Sequence, residues 1–129
     1  RGADLNGRRI AVSRHSDLAD GLIGFGTTPY ARTDAHQTFT RVESVFMHAL
    51  EIRRSGSAAL DLAYVACGRL DGFFELMLQP WDYAAGNLIL REAGGTVTNW
   101  QGLPPSLARP DSILASNGLL HGQLAALVC

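Results

Sequence analysis

From Phe73 to Gly95 the chain reads FFELMLQPWDYAAGNLILREAGG. Phe73–Leu76, aromatic and apolar around one carboxylate, has the composition of a strand. Pro80 then opens a helix from Trp81 to Ala93, and Gly94-Gly95 stops it, with proline at the start and glycine past the end as helices prefer. A strand that feeds a helix through a short turn is the building unit of an α/β fold, and there functional groups gather where strands end and helices begin. Glu75 closes this strand, and Asp82 follows seven residues later in the first turn of the helix. A carboxylate in that place is a hard oxygen ligand suited to Mg²⁺. The plainer reading makes Asp82 an acid at the positive end of a helix and Glu75 a solvated strand-end residue. Ala84, Ala85 and Gly86 would let the helix approach another backbone closely.

Outward from this unit, the alternation of strands and helices continues. Asn6-Gly7 is a strong hairpin signal before a short strand at Arg9–Val12, although the arm preceding it is brief and its partner is expected outside the chain. Gly21–Gly26 (GLIGFG) reads as a buried strand. Gln37–Glu51 places Phe39, Val42, Phe46, Ala49 and Leu50 at helical spacing, a stripe expected to face the core. Ile52–Arg54 is extended, and Ser57 caps a helix running to Cys67, with Gly68 as its stop. Thr96–Asn99 and Ile113–Ala115 are strands, Leu103–Asp111 is a proline-rich loop, and Leu119–Val128 is a last helix. The pattern predicts a layered α/β domain over residues 1–129, with a mixed, largely parallel sheet of about five short strands and flanking helices.

Composition narrows the function classes. The 129 residues are 47% hydrophobic and 18% charged, with a net charge of -1. Such a chain can bury one real core. Its near-neutral charge gives no electrostatic case for nucleic acid or an acidic membrane surface, and no apolar stretch approaches the roughly 18 residues of a membrane helix. Cys67 and Cys129 read as free thiols in a reducing, cytoplasmic setting. His15, His36, His48 and His121 lack zinc-ligand spacing. Gly24-Phe25-Gly26-Thr27-Thr28-Pro29 starts like a dinucleotide loop but carries Pro29 in place of the third glycine, so a tight strand-end turn is expected. The chain starts RGADLNG rather than with Met, which reads as a processed or cut chain.

Several motifs, taken in order, carry a family resemblance. Trp81-Asp82-Tyr83-Ala84-Ala85-Gly86 followed by Glu92-Ala93-Gly94-Gly95 resembles the C-terminal signature of the inositol monophosphatase family, W-D-x-A-A-G…E-A-G-G. Arg53-Arg54-Ser55-Gly56-Ser57-Ala58-Ala59 is similar to that family's R-x-x-G-S/T-A-A segment, Gly68–Gly72 to its G-x-x-D-G/A turn, and Asn6-Gly7 to its L-N-G hairpin. The resemblance implies a Mg²⁺-dependent, lithium-sensitive type of phosphomonoesterase that uses metal-activated water on inositol monophosphate or a related ester. Relatives acting on histidinol phosphate or adenosine 3′,5′-bisphosphate are the alternatives. It implies that Asp82 is a metal ligand and catalytic group and that Glu75 accepts hydrogen bonds from substrate hydroxyls. It further implies that Gly56, Ser57 and Ala58 line the substrate pocket, with Arg53 at its rim.

The family's other metal ligands are a Glu and the aspartates of a D-P-[IL]-D-G-T motif, both in its N-terminal half, and nothing here matches either. Asp34, Asp61 and Asp111 have no such surroundings. The chain is therefore expected to be the C-terminal half of a truncated enzyme, inactive alone. Residues 1–13 would be a hairpin remnant of the missing N-terminal sheet, and the chain would partner that half and further copies of itself in a homo-oligomer. A non-catalytic interaction or regulatory module is the competing class, since the surface that packs on the missing half would be exposed and apolar.

Overall fold

A computed structural model describes residues 1–129. The first seven-residue strand of the quoted unit, Gly72–Leu78 (β5), lies at the centre of a five-stranded sheet. Its neighbours are Leu22–Phe25 (β3), which pairs with it in parallel, and Asp111–Ser116 (β7), which pairs antiparallel. Glu51–Arg53 (β4) adds a parallel edge beyond β3, and Thr96–Thr98 (β6) an antiparallel edge beyond β7. The order is β4-β3-β5-β7-β6. The mixed sheet expected from the sequence is present, with its pairings divided evenly between parallel and antiparallel.

Strand alternation sends successive side chains to opposite faces, and here each face meets a pair of helices. Phe73, Ile113 and Ala115 point toward Ala58–Ala66 (α2) and Pro80–Glu92 (α3), where they pack with Leu62, Val65, Tyr83 and Leu90. Phe74 and Leu114 point the other way, toward Ala35–His48 (α1) and His121–Val128 (α4), against Val42, Val45 and Leu124. Phe25 stacks on Phe74 with ring centroids 6.2 Å apart. The result is three layers, α/β/α, and no helix is long and apolar enough to cross a membrane.

Three sequence expectations shift. The stripe on α1 is only partly buried: Val42 and Ala49 pack inward, joined by Thr38 and Val45, whereas Phe39, Phe46 and Leu50, with Met47 beside them, are at least half exposed. Of the small residues in α3, only Gly86 makes the close approach, since a Cβ there would stand 2.8 Å from the Leu62 Cβ; Ala84 and Ala85 face outward. The Asn6-Gly7 turn finds its partner within the chain. Ala3–Leu5 (β1) pairs antiparallel with Arg8–Ile10 (β2), Asn6 and Gly7 both having positive φ as a two-residue hairpin turn requires. This hairpin packs on the α2/α3 side, through Ala3, Ile10 and Val12.

Behind it, Asp71 ties the layers together. It is 4% exposed, and one carboxylate oxygen accepts from the Ser13 hydroxyl and meets His15 Nδ1 at 2.9 Å. The other accepts from Leu22 N at 2.7 Å. A buried carboxylate needs such partners, and these fasten the hairpin's exit to the start of β3.

Candidate functional site

Glu75 is placed by a break in the sheet. It pairs with Ile113 on β7, and the register then shifts between Glu75 and Leu78. Bulges of this kind re-aim side chains and free backbone groups near functional sites. The freed groups of Met77 are taken by the segment after β3: Tyr30 donates its hydroxyl to Met77 O at 2.6 Å, and Met77 N donates to Thr28 Oγ1 at 3.3 Å. Thr28 N donates in turn to Glu75 Oε2 at 3.0 Å. Thr28 holds a left-handed conformation, φ 47° and ψ 62°, while 1% exposed. For a β-branched residue that conformation is strained, and the surrounding bonds hold it there. Gly26 leaves the room Glu75 needs, because a Cβ on it would stand 1.8 Å from Oε1.

Asp82 comes from the start of α3. Its Oδ2 accepts from Gln79 N at 2.9 Å, one half of a capping box with the Gln79 side chain. Asp82 is thus an acid at the start of a helix, as its plainer reading had it, and the cap occupies only one carboxylate oxygen. Ser57 caps α2 through its hydroxyl, which accepts from Leu60 N at 3.2 Å, and Gly56 before it has φ +87°. The N–H groups of the first helical turn have no intrahelical partner.

These pieces meet. Gly56, Ser57, Ala58, Glu75 and Asp82 line one open cleft of about 360 Å³, walled by Pro29, Tyr30, Leu78 and Trp81. A side chamber of about 60 Å³ continues from it past Glu75 and is lined by Gly26, Thr27, Arg54 and Asp61. Five of the six residues expected at a site therefore share one cleft. Arg53 is the exception: it lines a neighbouring groove with Tyr64 and Arg69, and Arg54 lines both that groove and the chamber. Sequence reading also missed Gly26, Thr28 and Asp61. The GFGTTP turn was the available signal for the first two.

The cleft combines opposite potentials. Burial, followed by the fields of Glu75 and Asp82, pushes the Tyr30 hydroxyl up to about 12. Burial also raises Glu75 above the usual carboxylate range, with Thr28 pulling it back. Two helix N-termini, those of α2 and α3, open on the same space and favour an anion. The arrangement can therefore hold an anionic group on the helix ends while carboxylates face a cation or hydroxyl groups.

Comparison with known proteins shows the family. The model of the inositol monophosphatase family matches residues 1–129. The protein named Nus factor SuhB from Xylella fastidiosa is 50% identical over 101 residues, which is 78% of this chain and 37% of that protein. Inositol-1-monophosphatase from Mesorhizobium japonicum is 41% identical over 98% of this chain and 47% of its own length. The solved inositol monophosphatase from Anabaena superposes with a TM-score of 0.91 at 41% identity, over 98% of this chain and 50% of that one. The chain thus spans half or less of the length of these relatives. It belongs to the inositol monophosphatase family.

Proposed function

We propose that this chain is the substrate-side half of a Mg²⁺-dependent phosphomonoesterase acting on inositol monophosphate or a related small phosphate ester in the cytoplasm. The observation that carries the reading is the convergence of Asp82, Glu75 and the α2 N-terminus at Gly56–Ala58 on one cleft. In this reading the unpartnered N–H groups of α2 receive the phosphate, Glu75 accepts from substrate hydroxyls, and Asp82 lends its free oxygen to a cation.

The residues present do not by themselves fit a Mg²⁺ ion. Mg²⁺ takes six oxygens in near-octahedral geometry. The chain holds no cluster of three His, Cys, Asp or Glu side chains that could ligate a metal, and Asp82 has one oxygen beyond its cap. The remaining ligands would come from the part that the relatives possess and this chain does not cover. Hence the isolated 129 residues should turn over inositol 1-phosphate negligibly, and mixing with the remaining half should restore Mg²⁺-dependent release of phosphate. Robust turnover by the 129 residues alone would sink the division of labour proposed here.

The exposed Phe39, Phe46, Met47 and Leu50 on α1 support a second reading, a face for another copy of the chain or a protein partner. Some relatives carry the name Nus factor SuhB rather than a phosphatase name. Sedimentation velocity on the purified protein separates the two: a concentration-independent monomer removes the homo-oligomer.

A further inference from the structure

The dipeptide Asn-Gly occurs twice in the chain, at Asn6-Gly7 and at Asn117-Gly118. It carries its own chemistry. Glycine has no side chain to shield its backbone nitrogen, and that nitrogen can close a five-membered ring on the amide carbon of the asparagine before it. The two copies share this intrinsic reactivity, and the fold treats them oppositely.

Asn117 is tied on every side. It is 4% exposed. Its Nδ2 donates to His15 O at 2.8 Å and to Ser13 Oγ at 3.1 Å, and its Oδ1 accepts from Leu120 N at 3.0 Å. The nucleophile is occupied as well, since Gly118 N donates to Ser116 Oγ at 3.0 Å. Asn6 has none of this. It sits with Gly7 at the exposed tip of the β1–β2 hairpin, and no hydrogen bond holds its side chain or Gly7 N. A Cβ placed on Gly7 would meet nothing within 4 Å, so a ring has space to close. The left-handed φ values of 52° and 80° keep the turn shut. With arms of only three residues each, an exposed tip opens locally at small cost.

We propose that Asn6 is a site of spontaneous conversion to isoaspartate, and that the fold shields Asn117 from the same reaction. Gly7 N loses its proton to solvent base and bonds to Asn6 Cγ; the Cγ–Nδ2 bond breaks, and the amide nitrogen leaves as ammonia. Water then opens the succinimide. Attack at the backbone carbonyl carbon leaves Gly7 joined through Cγ, an isoaspartyl link with one extra carbon in the main chain. Attack at Cγ leaves an ordinary aspartate. Either product adds a negative charge. The isoaspartyl link also lengthens a two-residue turn whose pairing of Leu5 with Arg8 leaves no place for another atom, so β1 and β2 lose their register.

The test ages the protein, expressed from its own reading frame, at mildly alkaline pH with and without denaturant, and maps its peptides by mass spectrometry. Enzymatic methylation of isoaspartyl residues separates that product from aspartate. Unfolding puts the two pairs on equal terms, so Asn6 and Asn117 should then convert at similar rates. In the folded protein four hydrogen bonds must open at the second pair. Each is worth roughly fivefold in that equilibrium, so Asn6 should convert on the order of a hundredfold faster. The isoaspartyl form, isolated by its added charge, should show faster amide exchange over residues 3–10. Equal rates at the two sites in the folded protein, or conversion of Asn6 only after denaturation, overturn the proposal. Unchanged exchange over the hairpin of the modified form overturns the loss of register.

Discussion

Replacing Gly26 by alanine would set a methyl carbon 1.8 Å from Glu75 Oε1 and 2.1 Å from its Cδ. Neither distance is tolerable, so the carboxylate must leave. Gly26 does not need positive φ, so the substitution adds no backbone strain of its own, and the whole effect falls on the Glu75 side chain. Forcing a side chain out of a packed site costs about 1–3 kcal/mol. The bond from Thr28 N at 3.0 Å is also lost, and a hydrogen bond to a charged group contributes about 1.5–3 kcal/mol. The sum, about 2.5–6 kcal/mol, would lower the melting temperature by roughly 10–30 °C in a chain of this size. The decisive assay is a double-mutant cycle with Glu75→Ala, read by chemical denaturation. With the carboxylate removed, the methyl has room, and Gly26→Ala should cost little. If Gly26→Ala is equally damaging in both backgrounds, or harmless in both, the argument that this glycine exists to seat Glu75 is wrong.

Other perturbations follow from the same geometry. Burial raises Asp61 to about 6 from an ordinary value near 3.8, with the Ser55 hydroxyl and the Arg54 charge offsetting part of it. A folded-state pKa above the unfolded one means stability present below about pH 4 and lost as pH rises through 6. Asp61→Asn should therefore stabilise by about 1–2 kcal/mol above pH 6, after discounting for solvent screening, and by nothing near pH 3. A gain that is the same at both pH values would contradict the burial argument. The Asp71 carboxylate raises His15 above its usual 6.5, so its contribution is full below 6.5 and fades at higher pH. The drop in melting temperature above pH 6.5 should flatten in His15→Ala. Asp82→Ala removes the capping-box acceptor for Gln79 N and should cost about 1 kcal/mol. Amide exchange at Gln79 should speed up with it, and an unchanged exchange rate would argue against the cap.

Much of this architecture could be read before any coordinates. Pro80, Gly94 and Gly68 marked helix ends, and Ser57 marked a cap, because backbone punctuation is local chemistry. The two aromatic neighbours Phe73 and Phe74 serve opposite faces for the same reason: alternation is fixed by strand geometry. The errors came where neighbours from distant sequence decide. Phe39 and Phe46 have the spacing of a buried stripe, but α4 meets α1 along Val42 and Val45, and nothing within residues 35–48 announces that phase. Arg53 and Arg54 are equally basic, and only Arg54, just past the end of β4, also reaches the chamber beside Glu75. The bulge after Glu75 depends on β7, nearly forty residues downstream. Without it Met77 would stay in the ladder, and Thr28 would have no reason to adopt a left-handed turn.

Capping and ligation are often treated as rival explanations of an acid at a helix start, and Asp82 shows why they are compatible. A carboxylate free to rotate loses side-chain freedom whenever it engages a partner, a cost of the order of 1 kcal/mol. Here Gln79 N holds one oxygen at 2.9 Å, so that cost is met when the protein folds rather than when a ligand arrives. The second oxygen is then presented at a fixed place on the cleft that Glu75 and Ser57 share. The same cap draws part of the negative charge toward the helix end, so one such acid holds a divalent cation weakly. Tight binding would then require further oxygens brought to the same cleft, and on the phosphomonoesterase reading proposed above that requirement would tie the function of this chain to a surface outside it.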